Sequence, residues 1–178
     1  MSTLITPHGG YRNLKSFQNS TIVYDLTVIF CEKYLDRKSR TNDQMTQAAR
    51  SGRQNIAEGS QASGTSKKTE LKLISVARAS LEELLLDYED FLRQKGLVMW
   101  GKDDPRVAEM RRLAYMSDRS STTYATYMSS PESAANMMIC LIHQTNYLLD
   151  QQLRALEKQF LEEGGFTERL YRERKKRQ

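Results

Sequence analysis

The stretch ISVARASLEELLLDYEDF, residues 74–91, decides the fold. Ile74, Ala77, Leu81, Leu84, Tyr88 and Phe91 recur in it at alternating steps of three and four. That is the heptad seam of a helix buried along its length against other helices. The helix carrying it runs from a cap at Thr65 or Ser66 to Gln94, with Gly96 just beyond as a stop. Upstream, a second helix starts near Asn42 or Asp43, either of which can cap it, and places Met45, Ala49, Gly52 and Ile56 on one face. Gly59 offers it a left-handed stop and opens a polar loop to Ser66. The small residues Ala48, Ala49, Ser51, Gly52 and Ala57 let a neighbouring helix come close. Close packing then offsets the roughly 1 kcal/mol by which a helical glycine is worse than alanine.

Helical periodicity continues on both sides. Ile22, Leu26, Ile29, Phe30 and Tyr34 form the apolar stripe of a first helix from Leu14 or Phe17 to Leu35. Asp104-Pro105 is a cap and first-turn pair opening a short helix to Tyr115 or Met116. Residues 117–130, rich in Ser and Thr, read as a mobile linker on the bundle surface. Ser130-Pro131 starts a last long helix with Met138, Leu141, Ile142, Leu149, Leu153, Leu156 and Phe160 inward, ended by Gly164-Gly165. Short connections between the first three long helices make chain neighbours antiparallel. The expected protein is all-α: an up-down-up-down four-helix bundle over residues 14–163, with a short helix inserted in 96–130. A flexible segment, 1–13, precedes it, and a basic tail, 164–178, follows it.

Composition narrows the function classes. The longest wholly apolar run, Met137 to Ile142, is far too short to span a bilayer. No signal peptide is visible in the first ten residues, and Cys31 and Cys140 show no C-x-x-C pairing, so the chain reads as cytoplasmic. The net charge is +5, and most of it comes from residues 164–178, which hold six basic and two acidic groups. Residues 37–68 carry seven basic groups against Asp43 and Glu58, whereas residues 69–92 carry Lys72 and Arg78 against six acids. Unlike patches on one surface suit head-to-tail contacts that close into a ring. Glu83, Asp87 and Asp90 are the expected acidic contact residues in such an assembly.

Catalytic motifs fail on residue type. A di-iron site takes Glu-x-x-His from each of two helices, yet Cys140 stands three residues before His143. Gly59 to Ser66 has the glycine spacing of a phosphate-binding loop, but Thr65 stands where its lysine belongs. Cys31, Cys140 and His143 could converge as soft metal ligands, or the cysteines are small core residues. No enzyme activity, metal or cofactor is expected. Lys67 and Lys68, at the start of the third helix, are either an anion site or a solvated pair. Arg169, Arg172, Arg174, Lys175, Lys176 and Arg177 could neutralise several phosphates of a nucleic acid, together with Arg50 and Arg53. Tyr11, Tyr124, Tyr127 and Tyr171 could stack on bases. The competing expectation is a protein–protein scaffold whose basic tail is incidental.

The string from Gln47 to Gly59, with Asn55-Ile56-Ala57-Glu58-Gly59 at its end, then Ser66-Lys67-Lys68 and Ala79 to Leu84, resembles the 23S ribosomal RNA intervening-sequence protein family. The likeness covers residues 14–95 well and the last helix only by pattern. The 96–130 insertion departs from the compact family bundle, and a subgroup with an added C-terminal suffix is the more similar. The resemblance implies a small bundle that assembles as a homo-oligomeric, five-membered ring and has no known enzyme activity. Relatives include an accessory protein of diversity-generating retroelements, a basic ring that binds a reverse transcriptase and nucleic acid, so it also implies a polymerase-type partner. Read physically, Asn55 and Glu58 share a face and are expected to hydrogen-bond across to a neighbouring helix or subunit.

Overall fold

A computed structural model describes residues 5–176. Among these, six α-helices form and no strand: α1 (Lys15–Tyr34), α2 (Arg40–Ala62), α3 (Lys67–Lys95), α4 (Pro105–Leu113), α5 (Pro131–Glu163) and α6 (Phe166–Lys175). Two 3-10 segments, Tyr11–Asn13 and Ser121–Ser129, complete the order. No helix among the described residues is long and apolar enough to cross a membrane. The helical bundle expected from the periodicity is therefore what the chain forms.

Side-chain contacts fix how α1, α2, α3 and α5 pack. Gly52 faces Leu81, and Gly59 faces Glu70 and Ile74, so α2 and α3 run antiparallel. Arg78 bonds Asp150 and Asn146 bonds Glu82, giving the same sense between α3 and α5. Ser16 at the start of α1 donates to Gln152 late in α5, at 2.8 Å. Every position of the 74–91 seam is buried. Phe30 of α1 sits against it, with ring centroids 4.9 Å from both Tyr88 and Phe91. The Tyr88 hydroxyl, fully enclosed, donates to Thr27 Oγ1 at 3.0 Å, so a buried polar group is satisfied inside the core.

Helix ends follow local chemistry, with corrections. Ser66 caps α3, and Gly96 closes it at φ 64° while Leu97 N–H donates to the Leu92 carbonyl, a Schellman stop. Asp104 caps α4, which ends at Leu113 rather than Tyr115, and Ser130 caps α5, which ends at Gly164. The cap of α2 is Ser39, accepting from Thr41 N–H, and not Asn42 or Asp43. Asn42 instead donates to the Cys31 carbonyl, tying α2 back to the end of α1. Gly59 does not stop α2, which continues to Ala62. α3 lies across it, with the Glu70 carbonyl and Ile74 3.4 Å from where a Cβ would stand, a contact that a methyl group would just fill.

Two segments expected to be loose are anchored. In the 117–130 stretch, Tyr124 and Met128 are buried, and Lys33 and the Tyr34 hydroxyl both donate to the Met128 carbonyl. Composition averaged over the stretch hid these two anchoring side chains. In the first segment, Gly9 N–H donates to the Ser60 carbonyl at 3.1 Å. Ile29, placed on the inner stripe of α1, is exposed, and Val23 takes the core position.

The two glycines of α2 should respond oppositely to substitution. A Cβ at Gly52 would stand 2.7 Å from Leu81 Cδ2 and 2.8 Å from its Cγ, inside a closed core. Gly52→Val is expected to lower the unfolding free energy by about 1–3 kcal/mol through overpacking. Gly59→Ala meets only ordinary contacts and should gain up to about 1 kcal/mol of helix propensity. Urea denaturation of both variants checks this, and equal losses at the two sites would contradict it.

Candidate functional site

The basic residues singled out in the sequence do not form one patch. Arg50 is exposed in the middle of α2. Arg53, one turn on, lies half-buried with its guanidinium 4.8 Å from the Tyr24 ring centroid, and its Nε is buried without a partner. Lys67 is held by Glu70 at 3.1 Å. Burial raises the Glu70 pKa and Lys67 opposes that rise, so the acid at the first turn of α3 already supplies the negative charge an anion would bring. The anion site expected at Lys67 and Lys68 is thus internally occupied, although Lys68 itself is exposed.

The C-terminal segment forms α6, where the cations are most available. Arg172, Arg174, Lys175 and Lys176 are all exposed. Arg172 donates to the Glu163 carbonyl, and Lys176 pairs with Glu173 at 2.8 Å. Arg169 turns inward, with Nε and Nη2 buried and unbonded, so it is not a surface contact. Arg177 lies outside the described residues. Of the four stacking tyrosines, Tyr171 on α6 is 67% exposed, while Tyr124 is buried and Tyr11 and Tyr127 are half-buried. Since α5 ends where α1 and α3 begin, α6 and Lys68 share one end of the bundle, away from Arg50.

The motif residues resolve into packing roles. Asn55 Nδ2 donates within its own helix, to the Ser51 carbonyl at 2.9 Å and to Ser51 Oγ at 3.1 Å. Of the expected bond to a neighbouring helix or subunit, the helix contact within one chain is indirect, through the 2.9 Å Ser51–Ser80 hydroxyl contact. Ile56 is core, Ala57 is half-buried, and Glu58 is exposed rather than bonded across a helix pair. The acids divide as well. Glu83 is exposed, Asp90 holds Arg93 at 2.8 Å, and Asp87 is half-buried with Oδ2 enclosed and unpartnered. Burial raises the Asp87 pKa, and Glu83 and Asp90 raise it further, so it is a poor surface contact.

Cys31, Cys140 and His143 do not gather. Cys31 is buried against Asn42, and burial pushes its thiol up to about 11. Cys140 is also buried with a raised pKa, whereas His143 is exposed. Among the described residues no group of three or more His, Cys, Asp or Glu could hold a metal.

A further feature escaped the sequence reading. The 96–130 insertion and the start of α1 lean on α5 and enclose a groove of about 730 Å³. Trp100 fixes one wall: its backbone N–H donates to Asn136 Oδ1 at 2.7 Å and its indole Nε1 to Glu132 Oε1 at 3.0 Å. The Arg106 guanidinium lies 3.6 Å from a Trp100 ring centroid, and the indole bond, a bond from Val98 N–H and the Arg106 charge lower the Glu132 pKa. Asn136 Nδ2 donates to the Val98 carbonyl, locking the insertion to α5. Arg119 secures the far side by donating to Asn19 Oδ1 at 2.6 Å and the Tyr124 hydroxyl at 3.1 Å. The only sequence signal was a lone tryptophan before a short capped helix in an insertion too long for a plain connection.

No family model, curated protein or solved structure matches the chain.

Asp87 gives a test with a defined sign. A carboxyl whose folded pKa is raised stabilises the fold most when protonated, and that contribution is lost as pH rises through the folded pKa. Asp87→Asn should therefore raise stability at pH 7, with the gain shrinking toward zero as the pH falls below the ordinary carboxyl value of 3.8. Thermal melts of both proteins across pH check it, and a gain that grew on acidification would contradict it.

Proposed function

We propose that this protein is a non-catalytic, ring-forming four-helix-bundle adaptor that presents its C-terminal helix to structured RNA or single-stranded nucleic acid, beside a polymerase-type partner. The observation that carries this reading is α6 itself. Arg172, Arg174, Lys175 and Lys176 cluster at its exposed end, with the 67% exposed Tyr171 beside them as a stacking surface. Most of α6 is open to solvent, because it touches little beyond the last turn of α5. Burial of both thiols, with their pKa values raised, supports a reading without thiolate chemistry. The polymerase-type partner and the five-membered ring come from the family resemblance.

Replacing Arg172, Arg174, Lys175 and Lys176 together by Gln should weaken binding of single-stranded RNA. Each phosphate left without its cation flattens the plot of log affinity against log salt by about 0.7, so the full set should flatten it by about 3. Fluorescence anisotropy over a salt series measures this, and an unchanged slope would remove α6 from the interface.

The ring rests on charge complementarity between exposed Arg50 on α2 and exposed Glu83 on α3 of the next copy. Arg50→Glu and Glu83→Lys should each lower the mass measured by light scattering at moderate salt. The double variant, which restores opposite charges, should recover part of it. Masses indifferent to all three variants would overturn this contact.

A further inference from the structure

The groove between α5 and the insertion gathers cations that have no carboxylate partner. Along α3 and at the start of α4, by contrast, Arg78 bonds Glu82 and Asp150, Arg93 bonds Asp90, Arg106 bonds Asp104, and Lys67 bonds Glu70. Lys15, Lys102, Arg111 and Arg119 all line the groove, and among the described residues none of the four is in an ion pair. Arg119 bonds only an amide and a phenol, and Arg111 only the Lys102 carbonyl. A single carboxylate, Glu89, lines the same space. Four cations around one concave surface repel one another, and an anion seated there would relieve that repulsion. The charge of Arg111 reaches the floor, because it opposes the burial-driven rise of the Cys140 pKa.

The walls describe the rest of the occupant. Val107, Ile139 and Cys140 form a buried apolar floor. Met99, Tyr115 and Tyr147, at the same groove, are 57%, 90% and 63% exposed, among the most exposed apolar side chains of the chain. Two of the groove's amides are engaged, Asn136 by Trp100 and Val98 and Asn19 by Arg119, while Gln144 Oε1 is buried there without a partner and could accept from a donor on the ligand. The volume of about 730 Å³ lies within the range of small-molecule sites, about 300–1,000 Å³.

We propose that this groove binds a small amphipathic organic anion, with its apolar body on the Val107, Ile139 and Cys140 floor and its acidic head held by Lys102 and Arg111. The site is separate from α6 and stands whether or not α6 binds nucleic acid. The shared chemistry is a medium-length alkyl or aromatic body with one carboxylate or sulfonate. Neutral and cationic amphiphiles of the same length lack the head that the four cations select.

The full-length protein is titrated with 8-anilinonaphthalene-1-sulfonate, whose fluorescence rises in apolar surroundings, and the bound dye is then displaced by decanoate, decanol or decyltrimethylammonium. The expected result is one saturable site per chain that decanoate clears at least tenfold more effectively than either other amphiphile. Lys102→Gln and Arg111→Gln should each weaken dye binding at least threefold, and Ala114→Trp, which fills the groove from the end of α4, should abolish it. The four α6 substitutions to Gln should leave it unchanged, which separates this site from the nucleic-acid surface. Lys15→Gln and Lys102→Gln remove side chains with no bonds among the described residues, so they keep the test decisive if Ala114→Trp fails to fold. Absence of a saturable site, equal displacement by decanol, or indifference to the lysine and arginine variants would overturn the proposal. So would a fall in oligomer mass on Ala114→Trp without any dye binding by the parent protein, which would make the groove an interface between copies.

Discussion

Helices α2 and α3 lie close because Gly52 on α2 carries no side chain. There the missing Cβ is replaced by the Leu81 side chain, while at Gly59 the α3 backbone and Ile74 come to ordinary contact distance of a Cβ. This approach draws the seam from Ile74 to Phe91 inward, so that it faces α1 as well as α2. Phe30 can then touch Tyr88 and Phe91 edge-on, the arrangement aromatic rings prefer. The Tyr88 hydroxyl would be costly if unpaired so far from water, and Thr27 supplies its partner. A larger residue at position 52 would push Leu81 back along this whole line of packed side chains.

The outer flanks of the bundle are fastened by polar groups whose energies are individually small. Arg78 joins Glu82 on its own helix to Asp150 on α5, and exposed pairs of this kind contribute about 0–1 kcal/mol each. Their consequence is register more than stability, because the apolar seam alone would tolerate sliding of α5 along α3. The insertion is fixed in the same way at separate points. Asn136 grips residues 98 and 100, Arg119 grips Asn19, and the Met128 carbonyl takes two donors from the end of α1. A groove with defined walls results from a segment pinned at these separate polar points.

What was legible in the sequence was whatever depends on neighbours within a turn or two. The seam on α3, the caps at Asp104 and Ser130, and the stops at Gly96 and Gly164 are set by local spacing and local backbone chemistry and stand as read, and of Thr65 and Ser66 it is Ser66 that caps α3. The failures share a different cause. Gly59 could be a stop or a contact, and only the position of α3 decides which. Asn55 has the right type to bridge helices, yet Ser51 lies one turn away and is met first. Asp87 belongs by sequence to an acidic face, but its rotation on α3 turns one oxygen inward. The groove depends on residues from α1, α3, the insertion and α5, and no local pattern reports that kind of meeting.

Two basic surfaces therefore differ in physical kind. The cations of α6 stand in water, where screening at physiological salt acts over about 8 Å and each charge is felt mainly through phosphates it touches directly. In the groove Lys15, Lys102 and Arg111 are exposed too and Arg119 is half-buried, but they ring a buried apolar floor, beside which a charge is screened less than in open water. Along α5 the groove extends from Asn136 to Leu148, about 18 Å of helix, and Lys15 of α1 lines it too. Position on the bundle thus separates an open helix end, the shape a long polyanion would need, from a walled recess, the shape a small anion would need. The fold, and not composition alone, decides where the net charge of +5 is presented.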